Sequence, residues 1–259
     1  MYFIQLNVGI DWREERPLYT TDAVYAHAAV MQAITTVDEP LGRALHDMRR
    51  DKPLSLAFVD NRLRISLVGK NALQYMQALL TYWHTTPTMT LQDQDCAITG
   101  IDLNGRGGGQ VQTWGDFTMP LANEQLRFSF LTPTALTRQD SQRQRYTIPY
   151  PEPVSLFTML AEQWQVMGGC SLPAGLEEYL MDGGCVIKRY RLHTVTFPVE
   201  KRQQIGFLGD VTFLCRQPER ICIQALNWLT RFAPFVGVGY QTARGMGAVS
   251  TELFRQKAK

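Results

Sequence analysis

The segment GVGYQTARGMG, residues 237–247, has four glycines among eleven residues, and it joins a predicted helix to a predicted strand. The helix ICIQALNWLTRF precedes the segment, and the strand GAVSTELF begins at its last glycine. Glycine lets a backbone enter φ/ψ space closed to other residues and approach a ligand closely. Hydrogen-bond donors stand between the glycines, at Tyr240, Gln241, Thr242 and Arg244. We interpret the segment as a backbone cradle for a ligand.

The glycine-rich segment does not fit either of two common nucleotide-binding loops. A phosphate-binding loop of the Walker type needs GK[ST] after its glycines, and that tripeptide is absent here. A dinucleotide fingerprint follows a strand and opens a helix, whereas this segment follows a helix and precedes a strand. A plain flexible connection remains the alternative, but it would not explain why donors and glycines alternate so regularly.

The chain before this segment predicts one β-α-β-β-α-β unit. Alternating apolar residues in QLRFSFLTP indicate a strand, and PVSLFTMLAEQWQVM has helical spacing. A long hairpin follows, made by CVIKRYRLHTVTFPV and QIGFLGDVTFLC. The last helix and last strand complete the unit, which is the ferredoxin-like arrangement.

The N-terminal half predicts the same order of elements. Residues 2–10 alternate as a half-buried strand, and helix AVYAHAAVMQAI and the shorter helix LGRALHDMRR follow. A two-residue turn at Asp60 and Asn61 joins LSLAFV to RLRISLV, before helix NALQYMQALLTYW and strand CAITGID. The pattern breaks over residues 104–125, which include GRGGGQ. We therefore predict an α+β protein of tandem ferredoxin-like (RRM-like, βαββαβ) domains, over residues 1–120 and 121–259.

Composition narrows the class of protein further. A net charge of +2 and a pI near 8.3 do not by themselves indicate nucleic acid, but the cations are clustered. The clusters are Arg43, Arg49, Arg50 and Lys52; Arg138, Arg143 and Arg145; and Lys188, Arg189, Arg191, Lys201 and Arg202. Five cysteines without CxxC spacing argue against a zinc site or a disulfide framework. Without a signal peptide or a membrane-spanning apolar run, we expect a cytoplasmic protein with no metal, no cofactor and no membrane partner.

The ending FAPFVGVGYQTARGMGAV resembles the C-terminal signature of the CRISPR-associated repeat-processing endoribonucleases, members of the RAMP superfamily. Three earlier segments are similar to that family in the same order: FLTPTAL, PEPVSLFTMLAEQW and YRLHTVTFPVEKRQQIGFLGDVTF. HAAVMQAI and LGRALHDMRRDKPLSL resemble its N-terminal part more weakly. The resemblance implies a tandem ferredoxin-like protein that binds CRISPR repeat RNA and cuts precursor crRNA without metal, leaving 2′,3′-cyclic phosphate and 5′-OH ends.

Such a reaction needs a base for the ribose 2′-OH, an acid for the leaving oxygen and a cation for the charge on phosphorus. From the residues alone, His27 is a boundary histidine on the edge of an apolar helix stripe, whereas His46 stands among cations that would attract phosphate. The resemblance favours a catalytic role for both histidines, because family members commonly carry histidines at these places. We assign His46 as general acid or base, His27 as its partner, and Lys52 as the charge stabiliser.

The RNA-binding residues that we expect lie on the basic strand and in the glycine-rich segment. They are Lys188, Arg189, Arg191, Gly237, Gly239, Tyr240, Gln241, Thr242, Arg244, Gly245 and Gly247. Other CRISPR-associated proteins and a second copy of the chain are further candidate partners. A non-catalytic RNA-binding subunit of the same superfamily is the main alternative function, and a mononucleotide-binding protein is the other.

Overall fold

The structure is a computed structural model that describes residues 1–12, 18, 20–48, 52–103, 109–117, 119, 122–140, 142–199, 202–216 and 218–254. For residues 145, 199 and 202 it describes the backbone alone. Among the predicted cationic residues, Arg49, Arg50 and Lys201 lie outside the described residues, as does most of the GRGGGQ run.

The chain divides into two compact units. Unit one comprises Met1–Trp114 and Gln241–Met246, and unit two comprises Gly115–Tyr240 and Gly247–Lys259. The glycine-rich segment is thus shared: its central residues pack with unit one, and its two ends pack with unit two.

Unit one is a sheet covered on one face by helices, with strands in the order β2-β3-β1-β5-β4 and β6 paired with β1. Its elements are β1 (Tyr2–Ile10), α1 (Ala23–Val37), α2 (Glu39–Asp47), β2 (Leu54–Val59), β3 (Arg62–Gly69), α3 (Ala72–Thr85), β4 (Thr88–Leu91), β5 (Gln94–Asp102) and β6 (Gln110–Thr113). A 3₁₀ turn, Thr242–Arg244, belongs to the same unit.

Unit two has a sheet in the order β10-β11-β7-β12 and a separate β8-β9 ribbon. Its elements are α4 (Trp114–Phe117), β7 (Gln125–Thr134), β8 (Leu136–Gln139), β9 (Arg145–Ile148), α5 (Pro153–Val166), α6 (Leu176–Met181), β10 (Cys185–Val199), β11 (Arg202–Cys215), α7 (Arg220–Val236) and β12 (Val249–Phe254). In both units the second strand of the βαββαβ series is outermost, followed by the third, the first and the fourth. The tandem ferredoxin-like fold is therefore confirmed.

Local sequence explains most of unit one. On β1, Ile4, Leu6 and Val8 are fully buried and face the helices, as strand alternation requires. The β2-β3 turn has positive φ at both central residues, 51° at Asp60 and 57° at Asn61, which is the type I′ geometry that such pairs favour.

The short helix α2 begins earlier than predicted. The side chain of Asp38 accepts a hydrogen bond from the N–H of Leu41, at 3.0 Å, and so caps the helix. Pro40 then falls in the first turn, where its missing N–H costs no hydrogen bond. The predicted helix started after this proline, whereas the actual helix includes it.

The core of unit two is built on packed phenylalanines. Phe213 of β11 lies 5.6 Å from Phe128 of β7 and 5.5 Å from Phe157 of α5, between ring centroids, and both contacts are edge-to-face. Edge-to-face pairs contribute about 0.5–1.5 kcal/mol each beyond the area that they bury. These contacts join α5 to the two central strands of the unit.

Short elements were not predicted: β4, β6, β8 and β9, and the helices α4 and α6. Each of them has six residues or fewer, which is too short for a hydrophobic period to repeat convincingly. Within the described residues, no helix is both long enough and apolar enough to cross a bilayer.

Gly247 to Ala should lower the thermal midpoint of unfolding far more than Gly183 to Ala. Both glycines have positive φ, 67° and 74°, so each substitution costs about 1–2 kcal/mol in backbone strain. A Cβ on Gly247 would also meet the carbonyl oxygen of Val238 at 2.1 Å, whereas at Gly183 it would meet nothing within 4 Å. Equal midpoints for the two variants, measured by circular dichroism, would contradict the assigned packing.

Candidate active site

His27 lies on α1 at the edge of the buried face. Ala23, Val30 and Met31, each about one turn away, are buried, so the helix holds the imidazole against the core of unit one. Its Nδ1 atom is buried and has no hydrogen-bond partner.

The surroundings of His27 keep its imidazole neutral. Burial lowers the pKa of His27 from 6.5 to about 4, with the positive charges of Lys52 and Arg244 as the next causes and His46 as a smaller one. A backbone hydrogen bond from the imidazole to Ala243 opposes the shift. At pH 7 the side chain is therefore an unprotonated base.

His46 and Lys52 lie close to each other at the end of α2. His46 is exposed in the last turn, and the Nζ atom of Lys52 donates a hydrogen bond of 3.3 Å to the His46 carbonyl. Burial lowers the pKa of Lys52, the charge of Arg244 lowers it further, and Asp47 opposes both. The ammonium group is thus held near both histidines.

Close packing of the two N-terminal helices sets this arrangement. A Cβ on Gly42 of α2 would lie 2.2 Å from Oγ1 of Thr35 on α1, so only glycine permits this approach. Beside the contact, a groove of about 580 Å³ is lined by both helices and includes His46, Arg43 and Asp47 in its wall. The groove gives a ligand access to the exposed histidine.

Arg244 reaches the same place through the 3₁₀ turn. Gly245, at φ 96°, packs so closely that a Cβ would lie 2.4 Å from the Cβ of Ala23 at the start of α1. This contact places Ala243 beside the imidazole of His27 and the charge of Arg244 near both His27 and Lys52. The sequence predicted Arg244 as an RNA contact apart from the histidines, whereas the structure brings it into their cluster.

The predicted residues at the two ends of the glycine-rich segment bond within unit two. The N–H of Gly237 donates to Ala233, that of Gly239 to Sδ of Met159, that of Tyr240 to Ala135, and that of Gly247 to Pro133. These amides are already used within the protein. The segment therefore offers a ligand mainly side chains, those of Tyr240, Gln241, Thr242 and Arg244, and the glycines serve close packing.

The predicted basic strand is β10, and its three cations are exposed. Lys188 Nζ donates to Oε1 of Gln125 at 3.1 Å, and Arg189 Nε donates to Oγ1 of Thr212 at 3.4 Å. Arg191 pairs in register with Asp210. Two of these cations thus bond to side chains on other strands of the sheet, and all three residues stay exposed.

RRM-type proteins stack bases on aromatic residues on the open face of the two central strands. In unit two those strands are β7 and β11, and their open-face positions hold Arg127, Ser129, Asp210 and Thr212. Asp210 accepts hydrogen bonds from both Arg127 and Ser129, so much of this face is internally satisfied. The two central strands of this face therefore carry no aromatic ring on which a base could stack.

Among the described residues, no group of three or more His, Cys, Asp or Glu side chains is arranged to hold a metal ion. Sequence reasoning missed the carbonyl region of Ala243 as a neighbour of His27. No sequence signal could have found it, because it depends on a contact between residues far apart in the chain.

Comparison with known proteins gives a family for part of the chain and a fold for nearly all of it. Residues 128–249 match the family of the CRISPR-associated endoribonuclease Cas6. A product complex of Cas6 from Thermus thermophilus superposes with a TM-score of 0.81 at 24% identity, over 97% of this chain and 99% of that one.

Two further solved structures have the same fold. A product complex of another Cas6 gives a TM-score of 0.77 at 20% identity, over 97% of this chain and 100% of that one. A Cas6-related protein from Pyrococcus furiosus gives 0.60 at 10% identity, over 96% and 98%. No curated protein matches the chain.

Lys52 to Met should raise the pKa of His27 from about 4 toward 6.5, because it removes the largest cause of the low pKa after burial. An NMR titration of the histidine ring protons measures this pKa. Arg43 to Met is the matched control, since Arg43 pairs with Glu39 and is not among the causes. A native His27 that titrates near 6.5 would contradict the site geometry.

The low pKa of His27 also determines the direction in which the free energy of unfolding changes with pH. Between pH 6.5 and about 4 the unfolded chain protonates His27 and the folded chain does not, so the free energy of unfolding falls as the pH falls. His27 to Gln should flatten that dependence across this window in urea unfolding experiments.

Proposed function

We propose that this chain, whose residues 128–249 match the family of the CRISPR-associated endoribonuclease Cas6, binds CRISPR repeat RNA and cuts precursor crRNA. The observation that carries the proposal is the neutral, partly buried His27 beside the cations Lys52 and Arg244. A base and fixed positive charge are what cleavage of an RNA phosphodiester requires.

The reaction that suits this cluster is attack by a ribose 2′-OH on the adjacent phosphate. The bond from O2′ to phosphorus forms, the bond from phosphorus to O5′ breaks, and the products are a 2′,3′-cyclic phosphate and a 5′-OH. One proton leaves the 2′-OH and another is delivered to O5′. The nucleophile belongs to the RNA, so the protein needs only a base, an acid and charge.

In this proposal His27 takes the proton from the 2′-OH. In the free protein its pKa lies below the range that is optimal for a base at neutral pH. A bound phosphate carries a negative charge, which would offset the charges of Lys52 and Arg244 and raise that pKa. RNA binding would thereby bring the pKa of His27 closer to neutral pH, where a general base works best.

His46 then serves as the acid, and the two cations stabilise the transition state. His46 is exposed beside the groove between α1 and α2, so its imidazole can exchange protons with water. Lys52 and Arg244 supply positive charge for the oxygens of phosphorus as charge accumulates there.

Unit two supplies RNA affinity in this proposal. The exposed cations of β10 would contact backbone phosphates, which provide most of the affinity of proteins for nucleic acid. The relatives of this fold include two product complexes of Cas6. We also propose that the reaction is metal-independent and takes place in the cytoplasm, where the five free thiols would stay reduced.

His27 to Ala and His46 to Ala should each slow single-turnover cleavage of the host's repeat RNA about 10²–10⁴-fold, with binding nearly unchanged. The assay is run in EDTA, and the 2′,3′-cyclic phosphate is identified by mass spectrometry. His84 to Ala is the matched control, because His84 is an exposed histidine at the end of α3.

Unchanged cleavage by both variants would remove the histidines from the mechanism. Native protein that binds the RNA and leaves it intact would indicate a non-catalytic subunit. Cleavage only after metal is added would refute metal independence.

Arg244 to Ala and Arg191 to Ala should affect different steps, the first the cleavage rate and the second RNA binding. The first should lower the cleavage rate at saturating protein, because Arg244 belongs to the histidine cluster. The second should weaken binding and reduce the salt dependence of log K by about one, while the saturated rate stays the same. Lys70 to Ala, at an exposed turn, should change neither, as fluorescence anisotropy and single-turnover kinetics would report.

A further inference from the structure

An apolar pocket of about 280 Å³ lies on unit two. Its walls are Pro149 and Tyr150, which follow β9, and residues of β10: Ile187, Tyr190, Leu192 and His193. β10 is the outermost strand of its sheet, so the pocket opens at a sheet edge.

Two tyrosine rings in this pocket are exposed without an evident structural need. Tyr150 is 49% exposed and Tyr190 is 70% exposed. Large apolar side chains that cluster on a surface commonly mark a binding site. The pocket volume is slightly below the range of about 300–1,000 Å³ found for drug-sized ligands, so it suits one small ring system.

We propose that this pocket binds the base of one unpaired nucleotide of the RNA; the inference rests on the function proposed above. The base stacks on the ring of Tyr190 or Tyr150, over the apolar floor of Ile187 and Leu192. His193 and Thr194, which also line the pocket, supply polar atoms for the edge of the base. Stacking on aromatic side chains is how proteins commonly hold unpaired bases.

The charges along β10 favour RNA over an apolar protein partner. The strand carries Lys188, Arg189 and Arg191 and has no acidic residue between 185 and 199. Side chains alternate along a strand, so Arg189 and Arg191 point to the face opposite Tyr190 and Leu192. A nucleotide chain that crosses this edge could place a base on one face and its phosphates near the other.

The composition of the sheet supports this location for a base contact. The open face of β7 and β11 holds Arg127, Ser129, Asp210 and Thr212 in place of aromatic residues. The exposed tyrosines at the strand edge offer the stacking surface that this face lacks. Base recognition in unit two would therefore take place at its edge strand.

Fluorescence of 2-aminopurine tests the proposal. The probes are a series of RNAs, each with the host's repeat and ten flanking nucleotides on each side. Each RNA carries a single 2-aminopurine, at a different unpaired position. We expect the native protein to change the emission strongly at one position. Tyr190 to Ala or Tyr150 to Ala should abolish that change and weaken binding about 5- to 100-fold.

Two substitutions act as controls. Tyr190 to Phe keeps the ring and should retain both the emission change and the affinity. Tyr146 to Ala removes an equally exposed tyrosine, 48% exposed on β9, that does not line the pocket, and it should have no effect. A circular dichroism melt of each variant verifies that it is folded.

The possible failures can be distinguished. If the native protein binds and cuts the repeat RNA and the tyrosine variants match it in affinity and emission, the base pocket is refuted while the proposed function stands. If the native protein neither binds nor cuts the repeat RNA, the proposed function fails, and the pocket assignment fails with it.

Discussion

The contact of Gly245 with the start of α1 is the constraint on which the candidate active site depends. A side chain at this position would overlap the Cβ of Ala23, and its positive φ also requires glycine. Because the backbone can approach α1 so closely, Ala243 and Arg244 lie beside His27. Burial is the main cause of the low pKa of His27, and this approach adds the positive charge of Arg244 to that of Lys52.

The two units share a strand order and have different roles in the proposed function. In unit one the helices α1 and α2 carry the histidines, on the surface where Gly42 allows the helices to pack closely. In unit two the long β10-β11 hairpin carries the exposed cations and Tyr190, and a core of packed phenylalanines supports it. The same scaffold thus holds a candidate chemical centre in one copy and candidate RNA contacts in the other.

The glycine-rich segment combines two structural tasks. Its ends use backbone amides to bond to unit two, and its middle packs on unit one. The segment that resembles an RNA cradle in sequence is, in the structure, mostly a packing element with one exposed arginine. Its chemical contribution is the placement of Arg244.

The sequence by itself determined the order of the long elements, the two-residue turn at Asp60 and Asn61 and, through the family resemblance, His27, His46 and Lys52 as candidates. Hydrophobic period and turn chemistry are local, so a single chain displays them. Short strands such as β4 and β8 were missed because they contain too few residues to show a period. The tertiary structure alone decided that Arg244 lies near His27 and that Tyr150 and Tyr190 line one pocket. Both pairs are distant in sequence and adjacent only because the folded chain returns to the same place, which no local pattern records.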